Sequence, residues 1–492
     1  MEHPAAHANH RVIALIVASA LLMQNLDSAV VATALPSMAR DMGEDPARLG
    51  AAITSYLVAL TVFIPFSSWV ADRFGAKRVF MLAIIVFVAA SALSGQARGL
   101  EDLIAFRILQ GAGGAMMFPV GRLLLLRGVR KEELLSAMAW LTMPALLGPV
   151  CGPPLGGILT DLFGWRAVFW INVPIGVIGF LLVALKIPAI PSTNPGRPDV
   201  LGLALVGLAL ALGMFGLETV GRHVVAEPWP EVALAAGLLI GVAAYFHCRR
   251  APRPAIDIAL LKIPTFRQPA VFGSLFRMGA GAVPFLVPVM LQIGFGMSAS
   301  ESGLISFATA LGAFTMKPLV RPLLRRFGFR NALLINGVLA SAGIALLAFP
   351  NPAWPVAAIF LLLACGGLFR SLQFTSLNTL VFADVPPEKL SAATSFYSTL
   401  QQLSPALGVV LATATLEASR LIAGRMELAL ADFSTAFLVA AVVTLLSIPM
   451  LAVLHRDAGA EVSGHTPGLK PLDAFRRVTC DKSFRPWRGT QE

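Results

Sequence analysis

Asp27 is the only charged side chain between Val12 and Ala39, in a long apolar stretch. A carboxylate near the middle of a bilayer costs at least ~2.5–3.5 kcal/mol, so it is normally retained only where it faces a polar cavity or a partner. The chemistry open to it is reversible protonation, which adds or removes one buried charge. Arg107 is a second charge of this kind, in Leu103-x-x-x-Arg107-x-x-Gln110-Gly111-x-Gly113-Gly114. Gln110 and Gly111 follow it at three and four residues and share its helical face. A buried guanidinium needs a carboxylate, carbonyls or water, and coupling of Arg107 to Asp27 would supply the carboxylate. Arg277 and Arg370 also lie within apolar runs, and Gln24 and Gln292 offer hydrogen bonds there. Asp27 is therefore the candidate for handling a proton, and Arg107 the candidate for pairing with it. Gln24, Gln110, Arg277, Gln292 and Arg370 are the candidates for lining a substrate cavity. One acid among three arginines would bias such a cavity positive, favouring anionic, zwitterionic or neutral substrates over lipophilic dications.

The elements that must position these residues are membrane helices, each needing about 20 apolar residues. Fourteen runs qualify: 12–35, 49–71, 79–97, 102–124, 134–159, 167–186, 199–218, 231–248, 268–293, 301–320, 331–350, 355–381, 390–416 and 432–454. With the N-terminus inside, 28 Lys and Arg are assigned to that side and 7 to the outside, counting Arg122, Lys186 and Lys317 at the inner ends of their runs as inside charges, and Arg107, Arg277 and Arg370 lie within spans. This bias predicts that both termini are cytoplasmic. Arg122, Arg127, Arg130 and Lys131 count among the inside loop charges.

Composition agrees. The chain of 492 residues is 57% hydrophobic and 13% charged, with mean hydropathy +0.76, against about 25% charged in soluble domains. The net charge of +11 sits in short loops, so it points to topology and membrane lipids as partners and not to nucleic acid. The four cysteines are far apart and show no metal-ligand or disulfide spacing. No phosphate loop or dinucleotide fingerprint is present. ATP-driven transport within this chain, a cofactor and enzymatic activity are not expected. The first apolar run is too long, and ends at the wrong residue type, for a cleavable signal.

The halves repeat. Arg73-Phe74-Gly75 recurs as Arg326-Phe327-Gly328, Pro144-Ala145-Leu146 as Pro405-Ala406-Leu407, and Pro36-Ser37-Met38 as Pro288-Val289-Met290, at offsets of 253, 261 and 252 residues. The expected domains are a cytoplasmic N-terminus at 1–11, six-helix bundles at 12–186 and 267–454, a linker with two extra helices at 187–266, and a cytoplasmic, disordered tail at 455–492. Two related bundles around a midplane site are a secondary-transporter plan.

Five motifs bear a resemblance. Asp72-Arg73-Phe74-Gly75-Ala76-Lys77-Arg78 resembles the loop signature of the major facilitator superfamily, with Ser68 in place of its first Gly. The Arg107 segment is similar to that superfamily's fourth-helix motif, whose Arg is implicated in proton transfer. Gly148-Pro149-Val150-Cys151-Gly152-Pro153-Pro154-Leu155-Gly156-Gly157 matches its antiporter motif. Gly148, Gly152 and Gly156 make a smooth stripe for close helix contact, expected at the interface between the halves. Trp165-Arg166-Ala167-Val168-Phe169-Trp170-Ile171-Asn172-Val173-Pro174 and Leu26-Asp27-x-x-x-Val31-x-x-Ala34-Leu35-Pro36 resemble signatures of the fourteen-helix drug:proton antiporter family. That family usually has Thr and Asn where this chain has Ala29 and Ala32.

The resemblance implies an all-α polytopic protein with the major facilitator fold, two six-helix pseudo-repeats plus two inserted helices. It further implies a multi-pass exporter in the bacterial inner membrane that exchanges a small-molecule substrate for protons by rocking-bundle alternating access. The alternatives are export of a small organic anion such as a carboxylate, and proton symport for uptake. An accessory periplasmic adaptor is a partner that this chain does not reveal.

Overall fold

A computed structural model describes residues 10–188, 195–219 and 226–465. Hydrocarbon offers no hydrogen bonds to the backbone, so apolar segments satisfy their own amides by coiling. The helices are α1 (His10–Met42), α2 (Pro46–Phe63), α3 (Ser67–Phe74), α4 (Ala76–Ser94), α5 (Leu100–Gly128), α6 (Leu134–Phe163), α7 (Ala167–Trp170), α8 (Asn172–Lys186), α9 (Val200–Thr219), α10 (Trp229–Arg250), α11 (Pro264–Arg267), α12 (Gly273–Val289), α13 (Ala299–Leu346), α14 (Val356–Leu380), α15 (Leu390–Ile422), α16 (Leu430–Leu451) and α17 (Ala460–Ser463). No strand occurs among the described residues. Twelve helical stretches among them are long and apolar enough to cross a membrane. One of these, Glu301–Leu346, is interrupted by Gly328 with non-helical backbone angles.

The internal repeat has a geometric counterpart. Gly75 and Gly328, which end the two Arg-Phe-Gly segments, have φ of 87° and 71°. This region is costly for side chains with a Cβ, and each Gly reverses the chain into the next helix. In the first half α6 crosses α1 where a methyl on Gly148 would meet Asn25 Cβ at 2.6 Å. In the second half α15 crosses α12 where a methyl on Gly408 would meet the Met278 carbonyl at 2.1 Å. The paired positions of these crossings are 260 and 253 residues apart, each within one residue of the sequence repeat in the same helices. The inserted pair α9 and α10 pack on each other, and α9 touches both α2 and α15. At the base of this pair, Asp199 accepts from the backbone N–H of Gly202 and Ala255 and pairs with the His247 ring at 2.8 Å. Burial pushes the Asp199 carboxyl up, but His247 and the two amides outweigh it and hold it below the usual carboxylate range.

Part of the expected tail is ordered. Residues 455–465 include α17, with Val462 and Ser463 buried. Glu461 pairs with Lys131 at 3.1 Å, and the His465 ring bonds the Arg325 carbonyl. Val462 and Ala458 give this segment an apolar contact with the core, which overrides its polar composition. The rest of the tail, at 466–492, lies outside the described residues, as do residues 1–9 of the N-terminus.

Candidate functional site

Asp27 lies in α1 with 1% of its surface exposed, and Arg107 in α5 with none. Arg107 Nη1 donates to Asp27 Oδ2 at 2.6 Å and to Gln110 Oε1 at 2.6 Å. Gln110 Nε2 donates to Asp27 Oδ1 at 2.9 Å, and Asn172 Nδ2 donates to the same oxygen at 2.7 Å. Asn172 Nδ2 also reaches Ser91 Oγ, which donates to the Phe169 carbonyl. The guanidinium lies 4.1 Å from the Tyr56 ring centroid, and its Nε points to the Ala52 carbonyl at 3.4 Å. Close approach of α5 to α2 makes this possible: a methyl on Gly111 would meet the Tyr56 carbonyl at 2.6 Å.

The charge pair proposed from sequence is therefore formed, and Gln110 belongs to it instead of to a cavity wall. Asn172, Ser91 and Tyr56 complete it, and of these only Asn172 lay in a quoted motif, the signature at 165–174. Chemically the cluster is a carboxylate held by three donors next to a cation with alternative acceptors. Protonating Asp27 would cancel the attraction and free Arg107 toward Gln110 Oε1 and the Ala52 carbonyl.

The other candidates are dispersed. Gln24 is half-buried one turn from Asp27, Gln292 is exposed beyond the end of α12, and Arg370 is half-buried in α14. Arg277 is 2% exposed. Its Nη2 donates to the Tyr397 hydroxyl and to Asn378 Oδ1, all within the second half. Arg122 and Lys317, counted above with loop charges, lie inside helices. Arg122 is 1% exposed, and Lys317 donates to Thr375 Oγ1 at 3.1 Å. Asp432, fully buried at the start of α16, accepts from Ser419 Oγ and the Ala429 amide and pairs with Arg425. These contacts make it a structural acid.

The Gly stripe requires a correction. Methyls on Gly148, Gly152 and Gly156 would meet Asn25 Cβ at 2.6 Å, Ala29 Cβ at 2.3 Å and Thr33 Oγ1 at 2.0 Å. These partners recur every four residues on α1, so the stripe seats α6 on α1 within the first half and not between the halves. The missing bulk at position 29, where the resembled family usually has Thr, is what Gly152 packs against. The side chains of Pro149 and Pro153 lie outside the described residues, and among the described residues a methyl on Gly157 would meet nothing within 4 Å.

The halves meet on the face that bears the basic loops. Asp72 accepts from Ser391 Oγ of α15 at 2.5 Å and from Arg127 at 3.1 Å. Ser395 Oγ donates to the Ile64 carbonyl at 3.0 Å. Asp72 thus sits at the N-terminus of α15, where a negative charge is favoured by about 0.3–1 kcal/mol. Lys77 caps α8 by donating to the Ala184 carbonyl, whereas Arg73 and Arg78 are exposed. Replacing Asp72 by Ala should loosen this seal. A cysteine at position 395, in a cysteine-free background, should then react several-fold faster with an impermeant maleimide applied to that face. An unchanged rate would show that Asp72 does not hold the halves together.

The sequence pattern of the Major Facilitator Superfamily matches residues 17–408, with a second match over 269–488. The chain belongs to the major facilitator superfamily. Relatives in the superfamily named multidrug resistance protein MdtD include one from Salmonella paratyphi A, 35% identical over 401 residues, covering 81% of this chain and 84% of the relative. Another, from Klebsiella pneumoniae, is 35% identical over 397 residues with the same coverage. Among solved structures, the human organic anion transporter MFSD10 superposes with a TM-score of 0.64 at 16% identity, over 92% of this chain and 100% of that one. The proton:xylose symporter XylE bound to 6-bromo-6-deoxy-D-glucose gives 0.63 at 13% identity, over 94% and 99%. These superpositions establish the shared fold. With its apolar helices, this superfamily member is a multi-pass membrane protein.

Proposed function

We propose that this protein is a proton-coupled exporter of small molecules, including drugs, in the bacterial inner membrane, and not an enzyme. The observation that carries the reading is the buried Asp27–Arg107–Gln110–Asn172 cluster. A membrane interior retains such a cluster when the charge does work. The names of the MdtD relatives support drugs as substrates, and the energy source is the proton gradient with no cofactor.

In this reading the basic face is cytoplasmic, both termini lie there, and the chain crosses the membrane fourteen times. A straight helix over Glu301–Leu346 would be about 69 Å long, over twice the ~30 Å hydrocarbon thickness, and Gly328 divides it into two crossings. α6, with 30 residues, adds another. The bundles are 12–186 and 267–454, with α9 and α10 as the inserted pair. The bonds from Asp72 and Ile64 to α15 then close the cytoplasmic side, so the structure corresponds to an outward-facing state. Protonation of Asp27 from outside would release Arg107 and permit the halves to rock open inward. Deprotonation inside would restore the pair.

The test is transport in inside-out vesicles with an acidic interior. Ethidium should accumulate against its gradient, and collapse of the pH gradient by nigericin should stop it. Ethidium leaving the vesicles with the outward proton flow instead would establish symport and overturn the exporter reading.

A further inference from the structure

A second buried charge cluster, away from Asp27, joins the two halves. Arg122 of α5 reaches into the second half, where its guanidinium carbon lies 5.3 Å from the Tyr397 ring centroid and 5.6 Å from that of Phe382. Phe118 stacks on it from its own helix at 4.3 Å. Arg277 lies 4.8 Å from the centroid of the same Tyr397 ring. Tyr397 donates to Asn378 Oδ1, as does Gln401 Nε2. Arg122 and Arg277 are 1% and 2% exposed. Yet Arg122 Nε and Nη1 and Arg277 Nε have no hydrogen-bond partner among the described residues. No carboxylate among the described residues pairs with either arginine.

Two like charges thus share one aromatic ring in a low-dielectric interior, with donors to spare and no counter-charge. Ring faces attract a guanidinium but do not neutralise it, and buried cations without an anion are strongly disfavoured. Arg122 belongs to one half and Arg277 to the other, so opening the basic face must separate them and expose both to the vestibule. We propose that Arg122 and Arg277 form an anion site that captures the carboxylates of an exported small organic acid. Guanidinium forks match carboxylates bidentately, two cations suit a dianion, and Phe118 and Phe382 supply an apolar floor for an aromatic ring. Reclosing then brings both arginines onto the ligand. This assignment rests on the exporter reading and specifies a substrate class for it.

Phthalate, an aromatic dicarboxylate, is the probe, with neutral phthalamide and inorganic phosphate as controls. Phthalate should raise the melting temperature of the purified full-length protein by several degrees, with little effect from either control. In the vesicle assay, Arg122→Gln and Arg277→Gln should each lower phthalate export at least tenfold more than ethidium export, with partial recovery in Arg277→Lys. Equal losses for both substrates would mark the arginines as structural and overturn the site. Equal stabilisation by phosphate would overturn the carboxylate assignment. No stabilisation of the wild type by phthalate overturns the site even if the variants fail to fold. Absence of export of both compounds, with phthalate stabilisation intact, would sink the exporter reading and leave the anion site standing.

Discussion

Asp27→Asn is expected to abolish pH-gradient-driven export while also lowering the stability of the protein. The substitution is nearly isosteric, but it leaves the Arg107 guanidinium buried without its counter-charge. Breaking a buried pair from one side costs about 3–5 kcal/mol, a large share of the stability of an ordinary domain. Gln110 Oε1 and the Ala52 carbonyl would recover part of this, because Arg107 already touches both. The double variant Asp27→Asn with Arg107→Gln removes both charges. It should therefore melt within about 1 kcal/mol of the wild type yet still fail to couple transport to protons. Thermal melting in detergent and export from vesicles separate the two effects. Full proton-dependent efflux by the single variant would remove Asp27 from the mechanism.

Gly152→Leu is expected to eliminate transport and sharply reduce the amount of folded protein. Even its Cβ would lie 2.3 Å from Ala29 Cβ, so α6 and α1 must separate along a stripe where Gly148 and Gly156 are equally close. Overpacking typically costs about 1–3 kcal/mol, and here the strain falls on the segment of α1 that holds Asp27 against Arg107 and Asn172. Gly157→Leu is the control, since that position faces open space. It should leave expression and transport near wild type. Similar defects in both variants, measured by membrane protein yield and ethidium export, would show that helix propensity and not the α1 contact governs this motif.

The two charges of the Asp27 cluster were legible because a charge in an apolar run is rare enough to stand out alone. Asn172 stood out only as part of the signature at 165–174 and Ser91 not at all, since neutral polar residues in membrane helices are common and no spacing connects positions 91 and 172 to position 27. Arg122 was misread as a loop charge because it lies five residues before Arg127, near the end of its helix. Only the aromatic residues brought over it by the second half show that it is buried. The Gly stripe announced a close helix contact, but its partner could not be read, because a smooth surface does not specify what packs on it.

By itself the sequence determined the membrane setting, the helical secondary structure, the repeat and the presence of an ionisable residue at depth. Each follows from local quantities: run length against bilayer thickness, the placement of Lys and Arg, and the cost of a charge in hydrocarbon. The tertiary structure alone decided which donors surround Asp27, which helix the glycines seat, and that Arg122 and Arg277 meet without an acid. Those depend on contacts between residues far apart in the chain, where the low dielectric makes each pairing decisive and sequence spacing carries no information about it.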